Sequence, residues 1–133
     1  MKWTLFCALA LLATAAPAAE RLQIRVVEAS MEESAADPGL RDVAAFLKEN
    51  LPYRSFRLVD QTTLALPAPG NRVSLRPGFA VLGKGPQNRL DLTLEKDGRV
   101  LLNTVLSLRD GVPVVVGGFP GGRGRLMFVL VAR

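Results

Sequence analysis

The chain contains no histidine, and this absence excludes several kinds of chemistry before any motif is considered. Its 133 residues also include only one cysteine, one tryptophan and one tyrosine. Without imidazole, Ser–His and Cys–His nucleophiles cannot form, and a common class of metal ligand is missing. A glycosidase would need a carboxylate pair in a cleft with aromatic platforms for the sugar, and aromatic residues are few. We therefore predict that the protein is not an enzyme and has no catalytic residue, metal ligand or cofactor.

The first 18 residues have the layout of a secretory signal peptide. Lys2 supplies a positive charge, residues 3–16 form an apolar run that contains Cys7, and Ala16-Pro17-Ala18 has small residues at both positions that a cleavage site needs. The run is shorter than the roughly 20 residues that span a bilayer. We predict cleavage after Ala18 and no stable membrane insertion afterwards, with an uncleaved anchor as the alternative. The mature chain, residues 19–133, then forms a single periplasmic or secreted domain without cysteine.

Charge is divided unevenly along the chain. Residues 19–50 contain four basic and seven acidic residues, whereas residues 51–133 contain twelve basic and five acidic residues. A basic region can bind nucleic acid, but arginines also keep the edges of a β-sheet soluble. Export separates the protein from most nucleic acid, and no aromatic residues alternate with the arginines to stack on bases. We therefore predict no nucleic-acid partner.

One amphipathic helix is predicted at about residues 38–50. Asp37 is a good N-cap, and Pro38 suits the first helical position because its missing N–H is not needed there. The apolar residues that follow have helical spacing and form one stripe, which consists of Leu40, Val43, Ala44, Leu47 and Leu51. Asn50 and Pro52 end the helix. We expect this stripe to pack on a sheet.

The rest of the mature chain has the period of two that is typical of β-strands. The predicted strands are residues 21–29, 53–59, 62–66, 72–75, 79–82, 90–95, 100–108, 112–116 and 126–131. Turns are predicted at Asp60-Gln61, in Pro67–Asn71, and at two Asp-Gly pairs, of which Asp97-Gly98 is the clearest hairpin signal. The predicted fold class is α+β. It is mainly antiparallel β, a sandwich or partly open barrel of about eight strands, with one helix packed on it.

A segment rich in glycine and arginine, residues 117–125, lies between the last two predicted strands. Gly117 and Gly122 have the separation of the P-loop glycines, but Arg123-Gly124 occupies the positions of the phosphate-binding lysine and the hydroxyl residue. A strand follows where a P-loop or a dinucleotide fold needs a helix. We therefore predict a mobile hairpin tip without nucleotide affinity. Its candidate interaction residues are Gly117, Gly118, Phe119, Arg123 and Arg125.

Residues 90–131 resemble the C-terminal part of the secretin module. In residues 102–118, a strand with a Thr-containing segment meets an Asp-Gly turn, and a β-branched run then ends in Gly-Gly. Residues 125–131 are similar to the last secretin strand, in which a charged residue precedes an aliphatic run. The secretin gate segment is shortened here to residues 119–125, and this chain has one short strand–helix segment where secretins carry N-terminal periplasmic domains. The resemblance implies a β-fold of secretin type and an envelope location, but it does not imply a pore.

These observations are compatible with two alternative functions. The first is a non-enzymatic envelope protein that binds another protein through a sheet edge or the 117–125 segment, as an accessory of a secretion or pilus system. The second is a β-sandwich that binds an anionic small ligand or glycan through arginines, with Arg54, Arg57, Arg72, Arg76, Arg123 and Arg125 as candidates. Arginines that converge in a concave pocket would favour the ligand, whereas an exposed apolar edge would favour the protein partner. The sequence leaves the oligomeric state open.

Overall fold

The computed structural model of the protein describes residues 19–133, so the predicted signal peptide lies outside the described residues. The described chain forms eight strands and one α-helix. The strands are β1 (Arg21–Ser30), β2 (Ser55–Ala65), β3 (Ala68–Leu75), β4 (Phe79–Gly85), β5 (Leu90–Lys96), β6 (Arg99–Leu106), β7 (Val114–Gly121) and β8 (Gly124–Ala132), and the helix is α1 (Ala44–Asn50). Short 3-10 turns lie at Pro38–Leu40 and Gln87–Arg89.

The strands form two four-stranded antiparallel sheets. The first has the order β2-β1-β8-β7, and the second has the order β3-β4-β5-β6. Their facing sides enclose an apolar core whose fully buried side chains include Ile24, Phe79, Leu92 and Phe128. The structure confirms the predicted α+β, mainly antiparallel fold class. Two forms were predicted, a sandwich and a partly open barrel, and the sandwich is observed because the sheets do not close into a barrel.

The first sheet is covered on both faces, and this explains why β8 is apolar at nearly every position. Phe128 and Leu130 point into the core between the sheets, whereas Met127 and Val129 belong to a second core on the opposite face. Leu47 of α1 is fully buried in that second core. The second sheet has one covered face, so β5 alternates between buried leucines and more polar residues. The continuous apolar sequence of β8 is therefore explained by burial of this strand on both faces of its sheet.

The helical segment begins where it was predicted to begin, but it is not one continuous helix. Asp37 accepts a hydrogen bond from the Gly39 backbone N–H at 2.8 Å, which starts the 3-10 turn, and α1 begins only at Ala44. The other carboxylate oxygen of Asp37 accepts from the Leu58 N–H at 2.8 Å and thereby fastens this turn to β2. The predicted stripe does face the first sheet, since Leu40, Val43 and Leu47 are all buried there.

Two predicted turns are wrong. Asp60-Gln61 does not separate two strands, because β2 runs through it with only a shift in its pairing with β1. Asp60 instead accepts a hydrogen bond from the Arg76 backbone N–H at 2.9 Å, a contact between residues distant in sequence. Most of the predicted Pro67–Asn71 turn belongs to β3, which begins at Ala68.

The Asp97-Gly98 hairpin is confirmed. It joins β5 to β6, and its two residues have φ of 51° and 82°. Positive φ at both central residues is the requirement of a type I′ turn, whose twist matches that of the paired strands. β6 therefore follows β5 directly and becomes the last strand of the second sheet.

Candidate functional site

The predicted interaction segment, Gly117–Arg125, is mostly strand. β7 continues to Gly121 and β8 begins at Gly124, so the turn consists of Gly122 and Arg123 alone. The two strands are paired antiparallel along this segment. The prediction of a hairpin is confirmed, but its connection is far shorter than the predicted tip.

Three of the predicted interaction residues serve the packing of β7. Gly117 and Gly118 have φ of 108° and 113°, and the pairing with β8 shifts between Gly117 and Phe119. This bulge turns Phe119 towards the core, where its ring centroid lies 6.2 Å from that of Phe79 and 6.3 Å from that of Phe128. A side chain on Gly117 would collide with the Phe119 ring. These residues therefore shape the strand, and their role as an interaction surface stays a prediction.

The two arginines of the segment contact groups of their own chain. The Arg123 backbone N–H donates to Glu28 Oε2 at 3.3 Å, and its guanidinium lies 3.6 Å from Glu32 Oε2. The Arg125 guanidinium donates to the Gly118 carbonyl at 3.1 Å. Both guanidinium groups are exposed, so their contacts add little to stability.

A charged cleft of about 560 Å³ lies beneath the β7–β8 turn, beside the ends of β1 and β2. Its ionisable residues are Glu28, Glu32, Glu33, Arg57 and Arg123. Glu28 is almost fully buried and accepts a hydrogen bond from Arg57 Nε at 3.2 Å. Both arginines thus face carboxylates, and the cleft does not offer an anion an unpaired cationic surface.

The other candidate arginines do not line this cleft and are also paired, although Arg54 contacts Glu33, one of the cleft residues. The ion pairs are Arg54–Glu33 at 3.4 Å, Arg72–Glu95 at 2.6 Å and Arg76–Asp60 at 3.5 Å. The candidate arginines as a set are distributed over both sheets, since Arg57 lies on β2 and Arg72 lies on β3. The six candidate arginines therefore do not converge in one pocket.

Asp42 has the most strongly perturbed carboxyl group, and its surroundings indicate a structural role. Its two oxygens lie 2.8 Å from Nη1 and Nη2 of Arg25, a β1 residue whose side chain is 5% exposed. The hydrogen bonds from Arg25 are the main cause that lowers the pKa of Asp42 to about 2, against the opposing effect of desolvation. Arg133 adds a further contact. Asp42 is therefore ionised at neutral pH and ties the helical segment to the first sheet.

The pKa of Asp60 is also lowered, mainly by the hydrogen bond from the Arg76 backbone N–H. A general acid or base near neutral pH needs its pKa moved in the opposite direction. Among residues 19–133, no group of three or more Asp, Glu, Cys or His side chains is placed to hold a metal ion.

Three exposed apolar side chains lie on β6, at a free edge of the second sheet. Val100, Leu101 and Val105 are 62%, 40% and 58% exposed, and they are three of the five large apolar residues that are exposed in the described chain. β6 pairs with β5 on one side only. Within residues 19–133, its backbone has no hydrogen-bonded partner outside its own sheet.

The other three edges of the sheets each combine a shift in register with a proline or a side-chain cap, whereas β6 has only a shift in register, at Leu101. β2 carries a bulge and the side-chain cap from Asp37, β3 contains Pro69 beside an irregular pairing, and β7 contains Pro120 and the glycine bulge. Prolines, bulges and charges are the usual features that prevent a strand edge from pairing. β6 has no proline or lysine, its only charge is Arg99 at its start, and its one shift in register lies near that end.

Sequence reasoning identified β6 as a strand but did not identify it as a binding site. The sequence did contain a feature that is typical of an interacting strand. Residues 99–106 contain five Val or Leu residues and one charge, and they include no proline. The missing information was the position of the strand at the margin of its sheet.

No protein-family model matches the chain, and neither a curated protein nor a solved structure matches it. The resemblance to secretins therefore stays a prediction. Among residues 19–133, no helix has the length and apolar character needed to cross a membrane.

Proposed function

We propose that this protein is a non-enzymatic, exported envelope protein that acts by binding another polypeptide along the free edge of β6. The observation that carries the proposal is the exposed apolar edge itself, with Val100, Leu101 and Val105 beside unpaired backbone groups. An extended segment that pairs with such an edge gains main-chain hydrogen bonds, and its alternate side chains contact the exposed apolar groups. The envelope location follows from the predicted signal peptide and the resemblance to secretins. On that basis we assign the protein to the accessories of a secretion or pilus system.

The alternative function, binding of an anionic ligand or glycan, lacks the geometry that would favour it. Its candidate arginines are spread over two sheets, and five of the six lie within 4 Å of a carboxylate of the same chain. The sixth, Arg125, donates to a backbone carbonyl. A ligand would have to displace these partners at separate places, so we do not propose this function.

The proposal is tested by photo-crosslinking in the producing cell. A photoreactive amino acid at Val105 lies on the exposed outer face of β6, and the matched control at Ser74 lies exposed on β3, at the opposite edge of the same sheet. We expect illumination to give a discrete covalent adduct from position 105 and none from position 74. An equal yield of adduct at both positions, or no adduct at position 105, would contradict the proposal.

The location is tested by the intact mass of the protein recovered from the soluble periplasm. A chain that begins at Ala19 agrees with export and cleavage, whereas a full-length chain contradicts the predicted processing.

A further inference from the structure

We propose that the cleft beside Gln87 is the binding site for the N-terminal ammonium group that signal-peptide cleavage creates at Ala19. This inference rests on the export and processing that form part of the proposed function, and it does not involve the β6 edge. Hydrolysis of the Ala18–Ala19 bond adds a hydroxyl from water to the Ala18 carbonyl carbon and a proton to the Ala19 nitrogen. The freed amine takes a further proton from solvent at neutral pH, because the ordinary pKa of an α-amino group is about 7.7–8.0. It thereby becomes a cation with three N–H donors.

The Ala19 nitrogen lies against a side chain of the second sheet. Its distance from Gln87 Oε1, in the 3-10 turn that precedes β5, is 3.1 Å. Ala19 itself is half-buried and packs against the core between the sheets. The next residue, Glu20, donates its backbone N–H to the Arg133 carbonyl at 3.0 Å, and its own carbonyl accepts from the Leu66 N–H at 2.8 Å. The backbone that follows this nitrogen is therefore held in place by groups at the ends of β2 and β8.

The Gln87 amide is oriented so that its oxygen faces Ala19. Its Nε2 donates to the Leu108 backbone carbonyl at 3.0 Å and to the Asp110 carboxylate. Both of these partners only accept hydrogen bonds, so Nε2 must lie on their side and Oε1 is left for the N-terminal nitrogen. The Gln87 backbone is also fixed, because its carbonyl accepts from the Leu108 N–H at 3.0 Å. The acceptor for Ala19 is therefore preorganised.

The charge of the cleft suits a cation. The cleft has a volume of about 660 Å³, and among residues 19–133 the ionisable side chain in its lining is that of Glu20. The Asp110 carboxylate, on the far side of the Gln87 amide, adds a second negative charge. The Arg133 guanidinium contacts Asp42. The basic residues within three positions of Ala19, Gln87 or Asp110 are all exposed and outside the lining, and they are Arg21, Lys84, Arg89 and Arg109.

The precursor and the processed chain differ at this nitrogen. In the precursor it belongs to the peptide bond that cleavage breaks, and it has one N–H to donate. After cleavage it carries a positive charge, and a hydrogen bond from a charged donor is about twice as strong as one from a neutral donor. Cleavage therefore strengthens the contact between Ala19 and Gln87, which joins the start of the first sheet to the second sheet.

The site is tested by the rate at which the Ala19 amine of the processed, exported protein is acylated near neutral pH. A peptide with the sequence of residues 19–24 gives the rate of a free amine, and exposed Lys48 of the same protein is the internal reference. We expect the protein to react at Ala19 at least about tenfold more slowly than the peptide, which is the effect of one hydrogen bond to a charged group. Equal rates would overturn the inference.

Two substitutions identify Gln87 as the partner of the amine. Gln87→Leu removes the acceptor, and Asn88→Leu is the matched control, because Asn88 is exposed and lines the same cleft. We expect Gln87→Leu to bring the acylation rate close to that of the peptide, and Asn88→Leu to leave it slow. A rate that Gln87→Leu leaves slow, or that both substitutions raise equally, would refute the assignment.

Gln87→Leu also removes the hydrogen bonds to Leu108 and Asp110, so a thermal melt checks that the variant is folded. If it is not folded, the comparison of the unsubstituted protein with the peptide decides the question.

The intact mass of the exported protein separates failure of this inference from failure of the proposed function. A chain that does not begin at Ala19 contradicts both the predicted processing and this inference. A chain that begins at Ala19 but has a freely reactive amine refutes this inference alone. Photo-crosslinking at Val105 tests protein binding at β6 independently of either result.

Discussion

Replacement of Asp42 by asparagine tests the contact that fastens the helical segment to the first sheet. The substitution keeps the size of the side chain but removes the negative charge that neutralises Arg25. Arg25 lies on the face of β1 that the helical segment covers, with a side chain that is 5% exposed. It keeps a contact with Gln23 and would otherwise remain as a buried cation without a counter-ion.

The expected loss in the free energy of unfolding can be estimated from the two members of the ion pair, Asp42 and Arg25. The fall in the pKa of Asp42 from 3.8 to about 2 corresponds to about 2.4 kcal/mol at about 1.4 kcal/mol per unit. Screening reduces this to about 1 kcal/mol, because the Asp42 side chain is 36% exposed. Leaving the Arg25 charge unpaired in a buried position adds about 1–2 kcal/mol. We therefore expect Asp42→Asn to lower the free energy of unfolding by about 2–3 kcal/mol.

The assay is urea denaturation followed by far-UV circular dichroism, since the described chain has no tryptophan to report by fluorescence. The matched control is Glu33→Gln, which removes a carboxylate from an ion pair with Arg54 in which both side chains are more than half exposed. We expect the control to change the free energy of unfolding by less than about 0.5 kcal/mol. If the two variants prove equally stable, the reasoning about Asp42 and Arg25 is refuted.

Three further predictions concern the same fold. The Asp42 carboxylate should make its full contribution to the free energy of unfolding above its unfolded pKa of 3.8, and this contribution should decline as the pH falls towards its folded pKa of about 2. If Asp42→Asn loses as much stability as the unsubstituted protein during an acid titration, this prediction is contradicted. Leu47→Asp should cost about 3 kcal/mol or more because it buries a charge, whereas the exposed neighbouring change Lys48→Asp should cost little, and equal denaturation midpoints would show that α1 does not pack as described. Replacement of Arg123 and Arg125 by serine should leave the melting temperature nearly unchanged, and calorimetry should detect no ATP or GTP binding to the unsubstituted protein; micromolar affinity would overturn this interpretation of the segment.

The elements that sequence reasoning predicted correctly are those whose signals act over a few residues. Asp97-Gly98 specifies its hairpin because both positions must adopt positive φ, and that requirement is met by the two residues themselves. The helical segment starts at Asp37 because its carboxylate caps an N–H two residues along the chain. Alternation of leucines identified β5 because one face of that strand is buried and the other is not.

The wrong or missing predictions concern contacts between residues far apart in the sequence. Asp60 resembled a turn residue, but its partner is the backbone of Arg76, and the glycine bulge sends Phe119 towards Phe79 and Phe128. Local patterns do not contain such pairings, because a turn residue or a flexible glycine has the same local preferences whether or not a distant group meets it.

The candidate site illustrates the same division. The amino-acid sequence by itself predicted an apolar strand at residues 100–108, which the structure places at residues 99–106, and it shows that the chain has no histidine for catalysis. Whether that strand would be covered or exposed was decided only by the order of the strands in the second sheet, in which β6 lies outermost beside β5. An apolar strand in the centre of a sheet has both backbone edges paired, whereas the same strand at the margin presents free N–H and C=O groups next to exposed Val and Leu side chains. Tertiary structure therefore decided that this edge is free, because strand order results from the packing of the whole sandwich.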